Sequence, residues 1–337
     1  MEQAALLELD DICMHFPVKS GVFSQQRQYV KALDGVSLQL EKGKTLGLVG
    51  ESGCGKSTLG KCAVRLLKPT AGRVLLNGQD ITKMSARSLR PLRGQVQMMF
   101  QDPVSSLNPR MSVGQIVTEP LLVQGKGDAS WRREQAKRLL DRVGLPAGAA
   151  DRFPVEFSGG QRQRIGVARA IALEPELLIL DEPVSALDVS VQSQVLNLLL
   201  ELQEETGMAY LFIAHDLAVV KHISDDIAVM YLGKVVERAR ADDLYQSPKH
   251  AYTKTLIDSI PHPDPERKVQ RPFLKGEIPS PINPPKGSAF GHRLEHPSYE
   301  QTVGLDMPLL PITPDHWVAH DPCCLSPEDY RSLQNMS

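Results

Sequence analysis

Eight residues constrain this chain more than any others. Gly50-Glu51-Ser52-Gly53-Cys54-Gly55-Lys56-Ser57 fits the pattern GxxxxGK[ST], in which glycines free successive backbone N–H groups to turn inward and cradle phosphate. A helix N-terminus behind the loop adds partial positive charge, Lys56 can reach the β and γ phosphates, and the Ser57 hydroxyl can ligate Mg²⁺. The ligand expected is a nucleoside triphosphate, held by residues 50–58 with Thr58 closing the loop. Cys54 fills a free position of the pattern and needs no chemistry of its own. The loop also demands a setting: a buried strand in front, which Thr45-Leu46-Gly47-Leu48-Val49 supplies, and a helix behind, expected from Lys56 to Leu67.

Other segments extend that setting. Alternation in Val36-Ser37-Leu38-Gln39-Leu40 reads as a half-buried strand, and short apolar runs at 96–100, 177–180 and 209–214 read as buried ones separated by helical patterns. Strands alternating with helices predict an α/β fold with a parallel sheet. Between about 110 and 157 the β signals vanish and helix formers dominate, which predicts a helical subdomain inserted in the core. Eight of the 25 prolines lie between Pro261 and Pro285, so residues 261–337 read as an extended, semi-rigid appendage rather than core.

The balance of 38 basic and 40 acidic residues, a formal charge of −2, offers no bulk attraction to nucleic acid or anionic lipid. Phosphate recognition must therefore be local, and no nucleic-acid partner is expected. No apolar run approaches the roughly 20 residues of a membrane span, and the start lacks the pattern of a secretory signal. Cys13, Cys54, Cys62, Cys323 and Cys324 are too scattered for a disulfide framework. A cytosolic chain with free thiols is expected.

Leu177-Leu178-Ile179-Leu180-Asp181-Glu182 is an apolar strand ending in two carboxylates. Alone it could end in solvated acids, but beside a phosphate loop Asp181 suits the metal and Glu182 the attacking water. Ser158-Gly159-Gly160-Gln161 would by itself be a helix N-cap, which leaves the paired glycines unexplained. His215 and Gln101 are unremarkable in isolation. Their order along the chain carries the information.

That order, GESGCGKST, then Gln101, FSGGQRQR, LLILDEP, Ser185-Ala186-Leu187-Asp188 and Ala214-His215-Asp216, resembles the ATP-binding-cassette ATPases from about residue 6 to 260. The resemblance implies a P-loop core with an inserted α-helical subdomain and a Pro-rich C-terminal extension over 261–337. It makes Gln101 a sensor of γ-phosphate and metal, with Ser57 and Asp181 as further Mg²⁺ ligands. Glu182 becomes the catalytic base and His215 the switch histidine. Ser158, Gly159, Gly160 and Gln161 belong to the signature motif, which would complete the phosphate shell across a dimer, and Asp188 joins the nucleotide-binding set. Phe16 is the candidate to stack on adenine, with Tyr29 second.

QDPVSSLNPR, EPVSALDVSVQSQVLNLL, MYLGKVVE, SPKHAYTKTL and GEIPSPINPP are similar to the ATP-binding subunits of bacterial dipeptide and oligopeptide importers, most of all the F-type subunit of dipeptide systems. This implies ATP-driven uptake at the cytoplasmic face of the inner membrane, as a peripheral subunit. The implied partners are a D-type ATPase subunit or a second copy, two permeases touching residues 101–125, and indirectly an extracytoplasmic binding protein. Nickel or glutathione could replace peptide as cargo, and a soluble non-transport cassette ATPase is the rival from another class. Related subunits often carry four cysteines near residue 290 for an iron–sulfur cluster. Here Ser288, Leu294 and His320 stand in such places, so no cluster is expected. His292, His296, His316, His320 and the two late cysteines could instead hold zinc, although Pro297, Pro314 and Pro322 interrupt any helix that would align them.

Overall fold

The computed structural model describes residues 5–18, 28–101, 107–260 and 278–334. Two sheets form the frame. A four-stranded antiparallel sheet has the order β2-β1-β4-β5, from β1 (Ala5–Pro17), β2 (Tyr29–Glu41), β4 (Ala71–Leu76) and β5 (Gln79–Asp80). An eight-stranded sheet has the order β11-β12-β10-β9-β3-β8-β7-β6. Its parallel part holds β3 (Thr45–Val49), β6 (Val96–Met99), β7 (Leu177–Asp181), β8 (Ala209–Ile213) and β9 (Asp226–Tyr231). Antiparallel strands β10 (Lys234–Arg240), β12 (His316–Ala319) and β11 (Leu309–Thr313) complete it.

The continuous apolar runs of the parallel strands follow from helices or sheet covering both faces. Successive side chains point to opposite faces, and the core divides accordingly. Leu177, Ile179, Leu211 and Ile213 join Leu46 and Leu48 against α1 (Lys56–Ala63) and the antiparallel sheet. Leu178, Leu180, Tyr210 and Phe212 belong to the opposite core, with α5 (Val189–Thr206). There Val195, Leu198, Leu199 and Leu202 form the buried stripe that helical spacing dictates.

The helical subdomain comprises α2 (Val113–Val123) and α3 (Ala129–Arg142). Ser112 and Gln115 close a capping box at the start of α2, and Asp128 caps α3. It is stitched to α4 (Gly159–Ile171) where Arg164 donates to the Val143 carbonyl at 2.9 Å. Helices α6 (Leu217–Ile223), α7 (Ala241–Gln246) and α8 (Ala251–Asp258) follow the later strands. No helix among the described residues is long and apolar enough to cross a membrane.

Two expectations are corrected. Helix α1 stops at Ala63 rather than Leu67, because Arg65 turns left-handed (φ 54°) and sends its guanidinium to the Ile81 carbonyl, 3.0 Å away. The chain from 278 onward is not an extended appendage. Strands β11 and β12 continue the main sheet, α9 (Ala289–Arg293) packs into its core, and α10 (Pro327–Gln334) follows β12. Residues 261–277, which carry much of the proline run, lie outside the described residues.

Candidate nucleotide site

The phosphate loop is glycine-rich for two different reasons. Gly50 has φ 151°, and a Cβ there would stand 2.2 Å from the Met230 carbonyl oxygen; at Gly55 (φ 109°) it would stand 2.3 Å from that of Ala32. Close backbone approach therefore requires both. Gly53 (φ 82°) has open space around it and is required by conformation alone. Lys56 folds back over the loop, its Nζ donating to the carbonyls of Gly50 at 2.7 Å and Glu51 at 3.0 Å. The Cys54 side chain is buried beneath the loop, where burial raises its thiol pKa despite Lys56 nearby. Ser52 is exposed and Thr58 half-buried.

From the first turn of α1, Ser57 Oγ donates to Asp181 Oδ1 at 2.8 Å. Asp181 is 3% exposed at the tip of β7, and burial pushes its carboxyl pKa up against the opposing pull of the Ser57 bond and of Lys61 and Lys56. A hydroxyl beside a carboxylate is the hard-oxygen donor set that Mg²⁺ prefers.

The next residue, Glu182, sits in a left-handed turn (φ 49°) with its N–H on the Ile213 carbonyl at 2.8 Å. Its Oε2 accepts from Gln101 Nε2 at 2.9 Å and lies 3.4 Å from His215 Nδ1. The three residues leave the C-terminal ends of β6, β7 and β8, which are neighbours in register (Met99 opposite Leu180, Asp181 opposite Ile213). Parallel strands bring their carboxyl ends to one edge, which is where α/β sheets bind ligands.

The signature residues stand apart from the loop. Ser158 caps α4 and shares a capping box with Gln161, so their side-chain bonds are local. Gly160 has a packing reason to be glycine: a Cβ would lie 2.4 Å from Val191 Cγ1. Gly159 meets only Leu187, at ordinary contact distance. Asp188 is exposed at the N-cap of α5 without a side-chain cap bond. Phe16 is half-buried at the end of β1 opposite Val30, and Tyr29 pairs with Pro17.

The late histidines do not converge on a zinc. His316 binds Glu237 at 2.7 Å, His320 stacks on Tyr330, His292 meets the Tyr299 ring edge, and His296 Nδ1 accepts the Ser298 N–H at 3.2 Å. Ser288 is engaged with Asp321 and leaves Cys323 and Cys324 as the only thiols nearby, which does not fit a four-thiolate cluster. Two tighter groups also fail as metal sites. Around Cys13, His15 and Asp34, the carboxylate is already claimed by Lys31 at 3.3 Å. In the buried group His250, Asp321 and Cys324, His250 Nδ1 accepts the Tyr252 N–H at 3.1 Å and burial keeps the ring neutral, so the proton rests on Nε2. Neither nitrogen has a free lone pair.

Two residues at the site were not expected from sequence. The Tyr252 hydroxyl accepts the Glu51 N–H at 2.8 Å, and Arg293 pairs with the Glu51 carboxylate.

Fold and site together define an ATPase of the ATP-binding-cassette class. The family model described as ABC transporter matches residues 33–185, and that described as oligopeptide/dipeptide transporter, C-terminal region, matches 236–296. The chain is 54% identical over 294 residues to the oligopeptide transport ATP-binding protein AppF of Bacillus subtilis, covering 86% of this chain and 89% of that one. It is 50% identical over 291 residues to the dipeptide transport ATP-binding protein DppF of Escherichia coli, covering 86% and 87%. A solved dimeric post-hydrolysis state of an ATP-binding cassette bound to ADP and Pi superposes with a TM-score of 0.62 at 28% identity, covering 70% of this chain and 98% of that one. The chain belongs to the family of ATP-binding subunits of oligopeptide and dipeptide ABC transporters.

Proposed function

We propose that this chain hydrolyses ATP to drive uptake of di- or oligopeptides from the cytoplasmic face of the cell membrane. The observation that carries the reading is the meeting of Gln101 and His215 on Glu182, one residue from the Asp181–Ser57 pair. Lys56 and the backbone of residues 50–58 bind the phosphates, and Phe16 stacks on adenine. Ser57, Asp181 and Gln101 would hold Mg²⁺, which when bound would neutralise charge on the phosphates. Glu182 takes a proton from water as it attacks the γ-phosphate, with Gln101 and His215 fixing where that carboxylate points.

Ser158, Gly159, Gly160 and Asp188 serve the site of a partner cassette, a D-type relative or a second copy facing head to tail. The exposure of Ser158, Gly159 and Asp188 and the dimeric state of the solved relative support this. Two permeases supply the membrane span and dock on the helical subdomain, where Leu122 and Val123 are exposed. Residues 102–106 of the expected docking stretch lie outside the described residues.

Replacing Glu182 by Gln keeps its volume and one hydrogen bond but removes the base. ATP binding should persist while turnover falls by about 10²–10⁴-fold. Cells carrying the variant should lose uptake of labelled peptide but keep that of nickel and glutathione. Undiminished turnover would refute the role of Glu182; intact peptide uptake would refute the cargo.

A further inference from the structure

Glu51, the second residue of the phosphate loop, is gripped from three sides. Its N–H donates to the Tyr252 hydroxyl at 2.8 Å, its carbonyl accepts from Lys56 Nζ at 3.0 Å, and Arg293 Nη1 straddles its carboxylate at 2.9 and 2.8 Å. Arg293 lies 242 positions downstream, in the last turn of α9.

That short helix is fixed along its length. Its cap Ser288 accepts from Gly291 N at 2.9 Å and donates to Asp321 at 2.6 Å. Phe290 is buried edge-on to Tyr231 and Tyr252, with ring centroids 5.5 and 5.2 Å away. Gly291 leaves no room for a side chain, since a Cβ would stand 2.4 Å from that of Cys323. Helix α9 cannot slide or roll without losing these contacts, so the guanidinium is delivered to one spot. The pair is 11% and 26% exposed, which limits screening by salt.

We propose that Arg293 is a positioning residue for ATP: through it the C-terminal extension holds Glu51, and with it the carbonyls on which Lys56 rests, in the conformation that receives phosphate. Arg293 also neutralises a carboxylate carried by the phosphate loop itself. Nucleotide affinity then depends on a side chain that reaches only the back of the loop.

The test is equilibrium binding of trinitrophenyl-ATP with Mg²⁺ to the full-length chain, across the cycle of Arg293→Ala, Glu51→Ala and the double variant. Arg293→Ala should weaken binding about tenfold. The same change made in the Glu51→Ala background should cost less than about twofold, because the contact is already gone. Arg293→Lys should recover part of the loss, since one nitrogen makes both contacts. Arg293→Gln keeps the packed stem and gives the same readout should the alanine variant fold poorly. A lowered melting temperature with unchanged affinity, or a tenfold loss that persists without Glu51, would overturn the proposal.

Discussion

At Asp181 two demands conflict. Folding buries the carboxyl and raises its pKa, whereas binding a cation needs it ionised. A group whose folded pKa is raised adds stability below its unfolded value, and that contribution is lost as pH rises through the folded value. Asp181→Asn should therefore melt higher than the parent at pH 8 without nucleotide, and lose the stabilisation that Mg-ATP gives the parent. An equal or lower melting temperature by calorimetry would show that burial of this carboxylate carries no penalty. The residues around it were legible because motif spacing and chain order carry them: Lys56, Ser57, Asp181 and Glu182 each follow a recognisable strand, and Gln101 and His215 gain meaning from their place in the series. Tyr252 and Arg293 had no such signal. They reach Glu51 across 201 and 242 positions, and nothing in local periodicity encodes a contact of that separation.

At the scale of elements, Glu237 shows how β10, β12 and the start of α8 are tied together. Its carboxylate is fully buried and accepts from Lys249 N at 2.7 Å, His250 N at 3.0 Å and His316 Nε2 at 2.7 Å. Glu237→Ala strands three buried donors and should destabilise the chain by about 3 kcal/mol. Urea unfolding checks this, and a change under about 1 kcal/mol would mean water replaces the carboxylate without cost. Elements were readable where one face or both faced a core: the continuous runs at 177–180 and 209–214 are β7 and β8 almost to the residue. Reading failed where tertiary contacts overrode local preference. Helix α1 ends early because Arg65 turns left-handed and finds a partner at Ile81, just beyond β5. The proline run at 261–285 suggested that everything after it stands outside the fold, yet β11 and β12 join the main sheet, and β11 even accommodates Pro311 because it is an edge strand where a missing N–H is tolerated.

For the whole molecule, the five free thiols sample both cores and the extension. Cys54, Cys62, Cys323 and Cys324 are buried, and burial pushes Cys62 up to about 11; only Cys13 is half-exposed. Ellman's reagent at pH 8 should react rapidly with Cys13 alone in the native chain and with all five thiols after denaturation. Fast reaction of two more would show that the extension, with Cys323 and Cys324, opens from the rest. The seamless sheet has a consequence for how such subunits can diverge. Because β12 bonds directly to β10, a crossover between relatives placed just after α8 would join one parent's strand edge, and one parent's Glu51, to the other's covering strand and Arg293. Such an exchange should keep nucleotide affinity and stability only between parents that match at both places, the β10–β12 edge and the Glu51–Arg293 pair.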